Sequence, residues 1–166
     1  MMKKRLLLII ALVWAMMMSV AFCAPAPLTE ADFALGGINA VTDDLDTALK
    51  NGGKLRVDYE KKTYIPPVHM WVFKDMKMYT DLYTDKIILL TTEDQDIATP
   101  RGVRVGSTKH KILKEYGEPK KETKDGMICF VYQMDGSRII FDVTPGYVEM
   151  IMINCLPTAT MTLEGE

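Results

Sequence analysis

The sequence predicts an α+β fold of two tandem modules, each a helix packed on a three-stranded antiparallel β-meander, preceded by a signal peptide. Three observations lead to this prediction. The chain resembles itself at an offset of 65 residues, which lays Gly37-Ile38 over Gly102-Val103. An apolar stripe at helical spacing follows each glycine. Three segments rich in β-branched and aromatic residues then follow each stripe, with turn signals between them.

The N-terminus has the three regions of a secretory signal peptide. Three cationic residues at positions 3–5 precede an uncharged stretch over residues 6–22, and small residues and prolines follow it. We therefore expect export to the periplasm or the medium, with a signal peptide of residues 1–23 cleaved before Ala24. An uncleaved anchor is the alternative, since 17 residues lie at the lower limit for a spanning helix.

Cys23 raises the alternative of a lipid anchor. A lipoprotein signal needs a small residue directly before the cysteine, and Phe22 occupies that position. We therefore expect a mature chain without lipid and without a stable membrane span.

The mature chain is weakly acidic. Removing 23 of the 166 residues leaves 143, with 17 basic and 22 acidic residues and a net charge of −5. Proteins that bind nucleic acid carry a basic face, so nucleic acid is not an expected partner.

Each module is expected to begin with one short helix, over residues 42–51 and 107–116. An N-cap residue type precedes each helix, and a glycine stands where a left-handed residue would end it. Pro119 prevents continuation of the second helix. A capping box predicts a further short helix over residues 29–35. The caps are Thr42 and Ser107 at the starts, and Gly52 and Gly117 at the ends.

Six strands are expected, three in each module. A linker over residues 91–100 separates the two modules, which run over residues 28–95 and 96–157, and residues 158–166 form a flexible tail. The predicted strands cover residues 69–73, 76–83 and 86–90, then 127–132, 138–143 and 148–153.

The second copy resembles a known family. Its motif, TPRGVRVGS at residues 99–107 with YGEP at residues 116–119, is similar to the opening of modules of the SmpA/OmlA type, found in small outer-membrane assembly lipoproteins, and of the related β-lactamase-inhibitor-protein-like fold. The first copy departs from the pattern, with Val41 in place of a glycine and Gly-Gly-Lys at residues 52–54. The resemblance implies helices on an antiparallel sheet and a non-enzymatic role in binding another protein. The motif positions are Gly37, Gly52, Gly102, Gly106, Ser107, Gly117 and Pro119.

Few residues could supply catalysis. The mature chain has two serines, Ser107 and Ser137, which are explained as a helix cap and a turn residue, and it lacks a G-x-S-x-G motif. It also lacks the usual zinc-ligand spacings, so no catalytic site, metal or cofactor is predicted. Both mature cysteines fall in apparent strands too far apart for a disulfide, and we expect buried free thiols. A thiol-dependent enzyme remains a distant alternative, using Cys129 or Cys155 with His69 or His110.

Binding surfaces are the better candidates. Alternation along residues 77–83 places charged and aromatic side chains on one face, the composition of interface anchors. Ordinary cross-strand packing of tyrosines is the alternative. The candidate contact residues are Lys77, Tyr79, Asp81 and Tyr83.

Lysines also cluster around the second helix, where anionic lipid or glycan could bind. Acidic residues interleave with them, so a solvated mixed-charge face is the expectation. These lysines are Lys109, Lys111, Lys114, Lys120, Lys121 and Lys124.

We therefore expect an exported, non-enzymatic module that binds another protein, in assembly or maintenance of the cell envelope. A protein inhibitor of an extracytoplasmic hydrolase is the alternative.

Overall fold

The computed structural model describes residues 24–61, 64–65, 67–124, 126–155 and 162–163. The predicted signal peptide and Cys23 lie outside the described residues, and so does the predicted tail except for two residues. In chain order the strands are β1 (Ala34–Leu35), β2 (Ile38–Asn39), β3 (Leu55–Lys61), β4 (Tyr64–Ile65), β5 (Val68–Phe73), β6 (Lys77–Asp81), β7 (Ile87–Thr92), β8 (Lys120–Lys124), β9 (Met127–Met134), β10 (Ser137–Asp142), β11 (Met150–Asn154) and β12 (Thr162–Leu163).

One antiparallel sheet of eight strands dominates the described chain. Its spatial order is β3-β5-β6-β7-β11-β10-β9-β8. Two small ribbons accompany it, β1 with β2 and β4 with β12. The helices are a 3-10 helix (Glu30–Phe33), α1 (Leu45–Asn51) and α2 (Lys109–Tyr116).

The prediction of two modules, each with a helix on three strands, is wrong. Each α-helix is followed by four strands of the large sheet, and β7 pairs with β11, so all eight strands form one mostly β structure. The two edge strands, β3 and β8, are absent from the predicted set of strands. Edge strands are exposed and often charged, as in the KKETK sequence of β8, so they lack the apolar alternation that marks inner strands.

Helix α1 begins three residues later than predicted. Asp44 Oδ1 accepts a hydrogen bond from the Thr47 amide at 2.8 Å, so Asp44 and not Thr42 is the N-cap. The amide of Thr42 instead donates to Oδ1 of Asn39 at 3.2 Å, within the turn that precedes the helix.

Helix α2 likewise has its cap one residue beyond the predicted Ser107. Thr108 accepts from the Lys111 amide at 3.2 Å, while the Ser107 hydroxyl accepts from the Arg104 amide at 3.0 Å. Gly117 ends the helix with φ 82° and ψ −159°, a conformation that glycine alone adopts readily. Its φ is positive, but its ψ lies outside the predicted left-handed region.

Gly52 does not have the predicted left-handed conformation. Its φ is −68°, and the positive φ of 81° belongs to Gly53. A side chain at Gly52 would place Cβ only 2.6 Å from the Phe73 ring. Gly52 therefore provides space for helix packing rather than a special backbone angle. The remaining motif glycines, Gly37, Gly102 and Gly106, have positive φ, and Pro119 directly precedes β8.

The predicted leading helix is a single 3-10 turn. The predicted capping box is present, since the Thr29 amide donates to Oδ2 of Asp32 at 2.8 Å. Phe33 at its end is fully buried, which fixes this turn on the core.

The core lies between one face of the sheet and the two α-helices. Ala48 of α1 and Ile112 and Tyr116 of α2 belong to the same buried cluster, which joins residues from both halves of the chain. Continuous burial of this kind makes the eight strands one structural unit. On the sheet side, the core is lined by a row of cross-strand neighbours: Trp71, Met78, Leu90, Ile153, Ile139 and Tyr132.

Candidate protein-interaction surface

The opposite face of the large sheet carries a continuous row of cross-strand neighbours. Alternate residues of a strand share a face, so the strand registers select one residue from each of the eight strands. Both α-helices bury their apolar residues on the other face. This set, the open-face row, is Val57, Val72, Lys77, Thr91, Met152, Ile140, Val131 and Lys120.

The open-face row is mainly apolar. Val57 is 51% exposed, and Val72, Met152 and Ile140 are partly exposed, whereas Val131 is buried. Two exposed lysines flank the four uncharged residues at its centre. Apolar side chains framed by charge are typical of protein interfaces.

The structure separates the four predicted contact residues. Lys77 and Tyr79 lie on the open face, as the alternation predicts, with Lys77 in the open-face row and Tyr79 in the next row beside Leu89. Asp81 is the last residue of β6. Tyr83 lies in the following turn rather than on the sheet, and it is 78% exposed.

Asp81 supports this turn instead of offering a free charge. Its Oδ1 accepts from the amide of Tyr83 at 3.0 Å, and from the amide and hydroxyl of Thr84 at 2.8 and 2.9 Å. Partial desolvation raises the pKa of Asp81, but these hydrogen bonds outweigh it and leave the pKa below its ordinary value. The carboxylate therefore holds Tyr83 at the tip of a defined turn.

A second polar group lies in the other half of the open face. Arg138 Nη2 donates to Glu122 at 2.6 Å, and Nζ of Lys120 lies 3.0 Å from the other carboxylate oxygen. The hydrogen bond from Lys120, together with that from Arg138, holds the pKa of Glu122 below its ordinary value. The carboxylate is already paired with two cations, so the group presents net positive charge.

Cys129 and Cys155 are both free. The register places Cys129 opposite Asp142 and Asn154 opposite Arg138, so Cys129 and Cys155 lie near opposite ends of β10. Cys129 is buried and Cys155 half-buried, which confirms the predicted free thiols and their separation along and across the sheet. Burial raises the pKa of both thiols and keeps them protonated, which slows nucleophilic attack.

The histidines do not support a catalytic cysteine–histidine pair. His69 stacks on Trp71 with ring centroids 4.0 Å apart, and its Nε2 lies 3.2 Å from the Asp58 carboxylate. Five strand spacings, about 24 Å, separate its strand from that of Cys129. His110 is exposed on the outer side of α2.

Among the residues that the structure describes, no group of three or more His, Cys, Asp or Glu residues is placed to hold a metal ion. No helix in this part is both long and apolar enough to span a bilayer.

A polar cluster that the sequence pattern does not predict is built around Arg101. The guanidinium donates to both carboxylate oxygens of Asp32 at 2.6 and 2.8 Å. It also donates to the carbonyls of Ala26 and Pro27 at 2.8 Å and of Glu115 at 2.9 Å. All five N–H donors of the side chain have acceptors in this Arg101 cluster. The segment before β1 is thereby bound to the C-terminal end of α2.

A buried aromatic ring lies beside the ion pair of Arg101. Its guanidinium carbon lies 4.9 Å from the ring centroid of Tyr116, and burial raises the pKa of Tyr116 to about 12. Burial also raises the pKa of Asp32, but the hydrogen bonds from Arg101 and from the Thr29 amide outweigh it, so the pKa is lowered. Arg101 stands within the family-like motif, yet no sequence pattern connects it with Asp32, 69 residues away.

Comparison with known proteins yields a similar fold and no family. No family model and no curated protein matches the chain. The uncharacterized protein yfeY from Escherichia coli is similar in structure, with a TM-score of 0.50 and 17% identity over 78% of this chain and 99% of that chain. A cysteine-rich secretory protein from Staphylococcus aureus has a TM-score of 0.49 and 10% identity over 78% of this chain and 47% of that one. At these identities the likeness concerns the fold alone.

Proposed function

We propose that this chain is an exported, non-enzymatic module that binds another protein through the open face of its sheet, in assembly or maintenance of the cell envelope. The observation that carries the proposal is the open-face row, in which four of the eight strands contribute an exposed or partly exposed apolar residue: Val57, Val72, Met152 and Ile140. Exposure of apolar side chains to water is unfavourable in free energy. A partner that covers them removes this surface from water, which favours binding.

The dimensions of the row agree with a protein partner. Val72 and Ile140 lie four strand spacings apart, about 19 Å. A standard interface of about 800 Å² per partner covers such a span. The SmpA/OmlA resemblance supports the same role, and the N-terminal signal-peptide pattern supports the location.

Site-specific photocrosslinking tests this function. A benzophenone amino acid is placed at Val72, at Ile140 and, as the control, at exposed Lys50 on α1. Irradiation of the exporting cells is expected to give one shared protein adduct from the first two positions and none from Lys50. Equal adducts from all three positions, or none from the open face, would contradict the proposal.

Substitution at neighbouring positions supplies the folding control. Ile140 is half-buried on the open face, whereas Phe141 beside it is fully buried in the core. Ile140→Glu is expected to abolish the adduct formed at Val72 with an unchanged near-ultraviolet spectrum. Phe141→Ala should instead destabilise the fold by about 3–5 kcal/mol.

An inhibitor of an extracytoplasmic hydrolase is the second candidate. The observation that favours it is Tyr83, which is largely exposed at the tip of a turn held by Asp81. A rigid aromatic tip can enter an enzyme cleft. Tyr83→Ala would then abolish hydrolase binding while Ile140→Glu leaves it intact, the reverse of the result expected for an open-face partner.

A further inference from the structure

The charge of the chain is strongly segregated. Residues 101–124 contain eight basic and three acidic residues, a net charge of +5. The rest of the expected mature chain contains nine basic and nineteen acidic residues, a net charge of −10. The segment of positive charge comprises the loop before α2, α2 itself and the edge strand β8.

Four of the eight basic side chains of this segment are available to a partner. These four exposed cations, the basic surface, have no ion-pair partner among the described residues. Of the three acidic residues, Glu122 is paired with Arg138 and Lys120, Glu115 is half-buried, and Glu118 is exposed. The basic surface consists of Arg104, Lys111, Lys114 and Lys121.

Three of these cations lie near one another, and the fourth projects on the same side of the sheet as α2. Lys111 and Lys114 are three residues apart on the exposed side of α2. The Lys111 ammonium lies 3.8 Å from the Cβ position at Gly102, beside the loop that contains Arg104. Lys121 lies over the ring of Phe130, a core residue, and so projects on the same side of the sheet as α2.

The start of the described chain lies beside the basic surface. Pro25 packs against Gly117 at the end of α2, with its Cγ 3.3 Å from the Cβ position of that glycine. Arg101 holds the carbonyls of Ala26 and Pro27 at the same place. Residues 25–27 therefore lie against the end of the helix that carries Lys111 and Lys114.

We infer that the basic surface docks the protein on the headgroups of an anionic phospholipid bilayer. The four cations bind the anionic headgroups by electrostatic attraction. The open-face row lies on the other side of the sheet, so a bound bilayer leaves it accessible to a protein. Each cation near the surface contributes roughly fivefold to the partition coefficient.

Vesicle binding tests the inference. The exported form is purified from cells that express the full chain, and sedimentation is measured with three vesicles: phosphatidylcholine alone, and phosphatidylcholine mixed with phosphatidylserine or with phosphatidylglycerol. We expect equal binding to the two anionic mixtures, weaker binding to the neutral vesicles, and release as salt rises from about 0.05 to about 0.5 M.

Matched charge variants locate the surface. K111Q/K114Q/K121Q should lower the partition coefficient about 100-fold, from three cations at roughly fivefold each. K50Q/K54Q/K86Q removes the same charge at three exposed lysines elsewhere and should leave binding within about twofold. Equal losses in the two triple variants, equal binding to neutral vesicles, or release by inorganic phosphate at constant ionic strength would each overturn the inference. Circular dichroism checks the fold of both variants.

Discussion

Arg101 and Asp32 form a bidentate ion pair across 69 residues of sequence, with Nε and Nη2 donating to the two carboxylate oxygens at 2.6 and 2.8 Å. Their side chains are only 14% and 7% exposed. The pair fixes the segment before β1 on the loop that leads into α2. A buried pair of this geometry is costly to break from one side.

Removal of Arg101 should therefore destabilise the fold strongly. Arg101→Ala leaves the buried Asp32 carboxylate without its cation, and we expect a loss of about 3 kcal/mol in the free energy of unfolding. Arg101→Lys keeps the charge but lacks the planar fork, and should lose about 1–2 kcal/mol. Urea denaturation measures the stability of both variants, with Lys50→Ala at an exposed position of α1 as the control. Equal stability of the Ala variant and the wild type would show that the pair contributes nothing.

The same pair predicts an acid dependence of stability. The folded-state pKa of Asp32 lies below its ordinary value of 3.8, because hydrogen bonds from Arg101 and Thr29 outweigh desolvation. A group with a depressed folded pKa stabilises the fold above the unfolded pKa, and the contribution is lost as pH falls below it. Unfolding measured between neutral pH and strong acid should show this loss below about pH 3.8. Asp32→Asn, less stable at neutral pH, should show a shallower acid loss; parallel curves would refute the assignment.

Gly52 and Phe73 predict a steric coupling. Gly52→Ala introduces a Cβ 2.6 Å from the ring of Phe73, although its backbone angle suits any residue. We expect a loss of about 1–3 kcal/mol from overpacking. In the double variant with Phe73→Leu, the combined loss should be smaller than the sum of the single losses. Strict additivity in a double-mutant cycle of urea unfolding data would contradict this explanation.

The two thiols should react slowly in the folded protein. Burial raises the pKa of Cys129 and Cys155, so little thiolate forms near neutral pH. A thiol reagent such as dithionitrobenzoate should modify both faster in denaturant than in buffer. Cys129→Ala and Cys155→Ala, measured separately, assign each rate. A fast native reaction at either position would instead mark an activated cysteine.

Sequence patterns predicted the inner strands better than the edges. The apolar alternation of β10 marks Ile139 and Phe141 as core residues, and both are fully buried. The same alternation on β6 correctly placed Lys77 and Tyr79 on the face opposite Met78. These patterns succeed because inner strands have one face against the core. At the edges, β3 and β8 are stabilised by backbone pairing to a neighbouring strand. Backbone pairing does not require a particular pattern of side chains, so the sequence does not reveal it.

Helix caps show a similar limit. Thr42 and Ser107 are suitable residue types, but Asp44 and Thr108 compete within two positions and form the actual caps. Local hydrogen bonds of Asn39 and Arg104 decide between them, because they engage the Thr42 amide and the Ser107 hydroxyl. When several neighbouring residues are of N-cap type, the conformation of the surrounding turn decides which of them caps the helix.

The sequence by itself determined the segments of the large sheet with apolar alternation, the two helices, the capping box of Thr29 and the residue types of the open face. Local periodicity and capping are properties of neighbours in the chain, so they are encoded there. Only the tertiary structure decided that β7 pairs with β11 in one sheet of eight strands, and that Arg101 binds Asp32. Both depend on contacts between residues distant in sequence. Such contacts stabilise the fold only after the chain has closed the long loops between them, and loop closure costs conformational entropy.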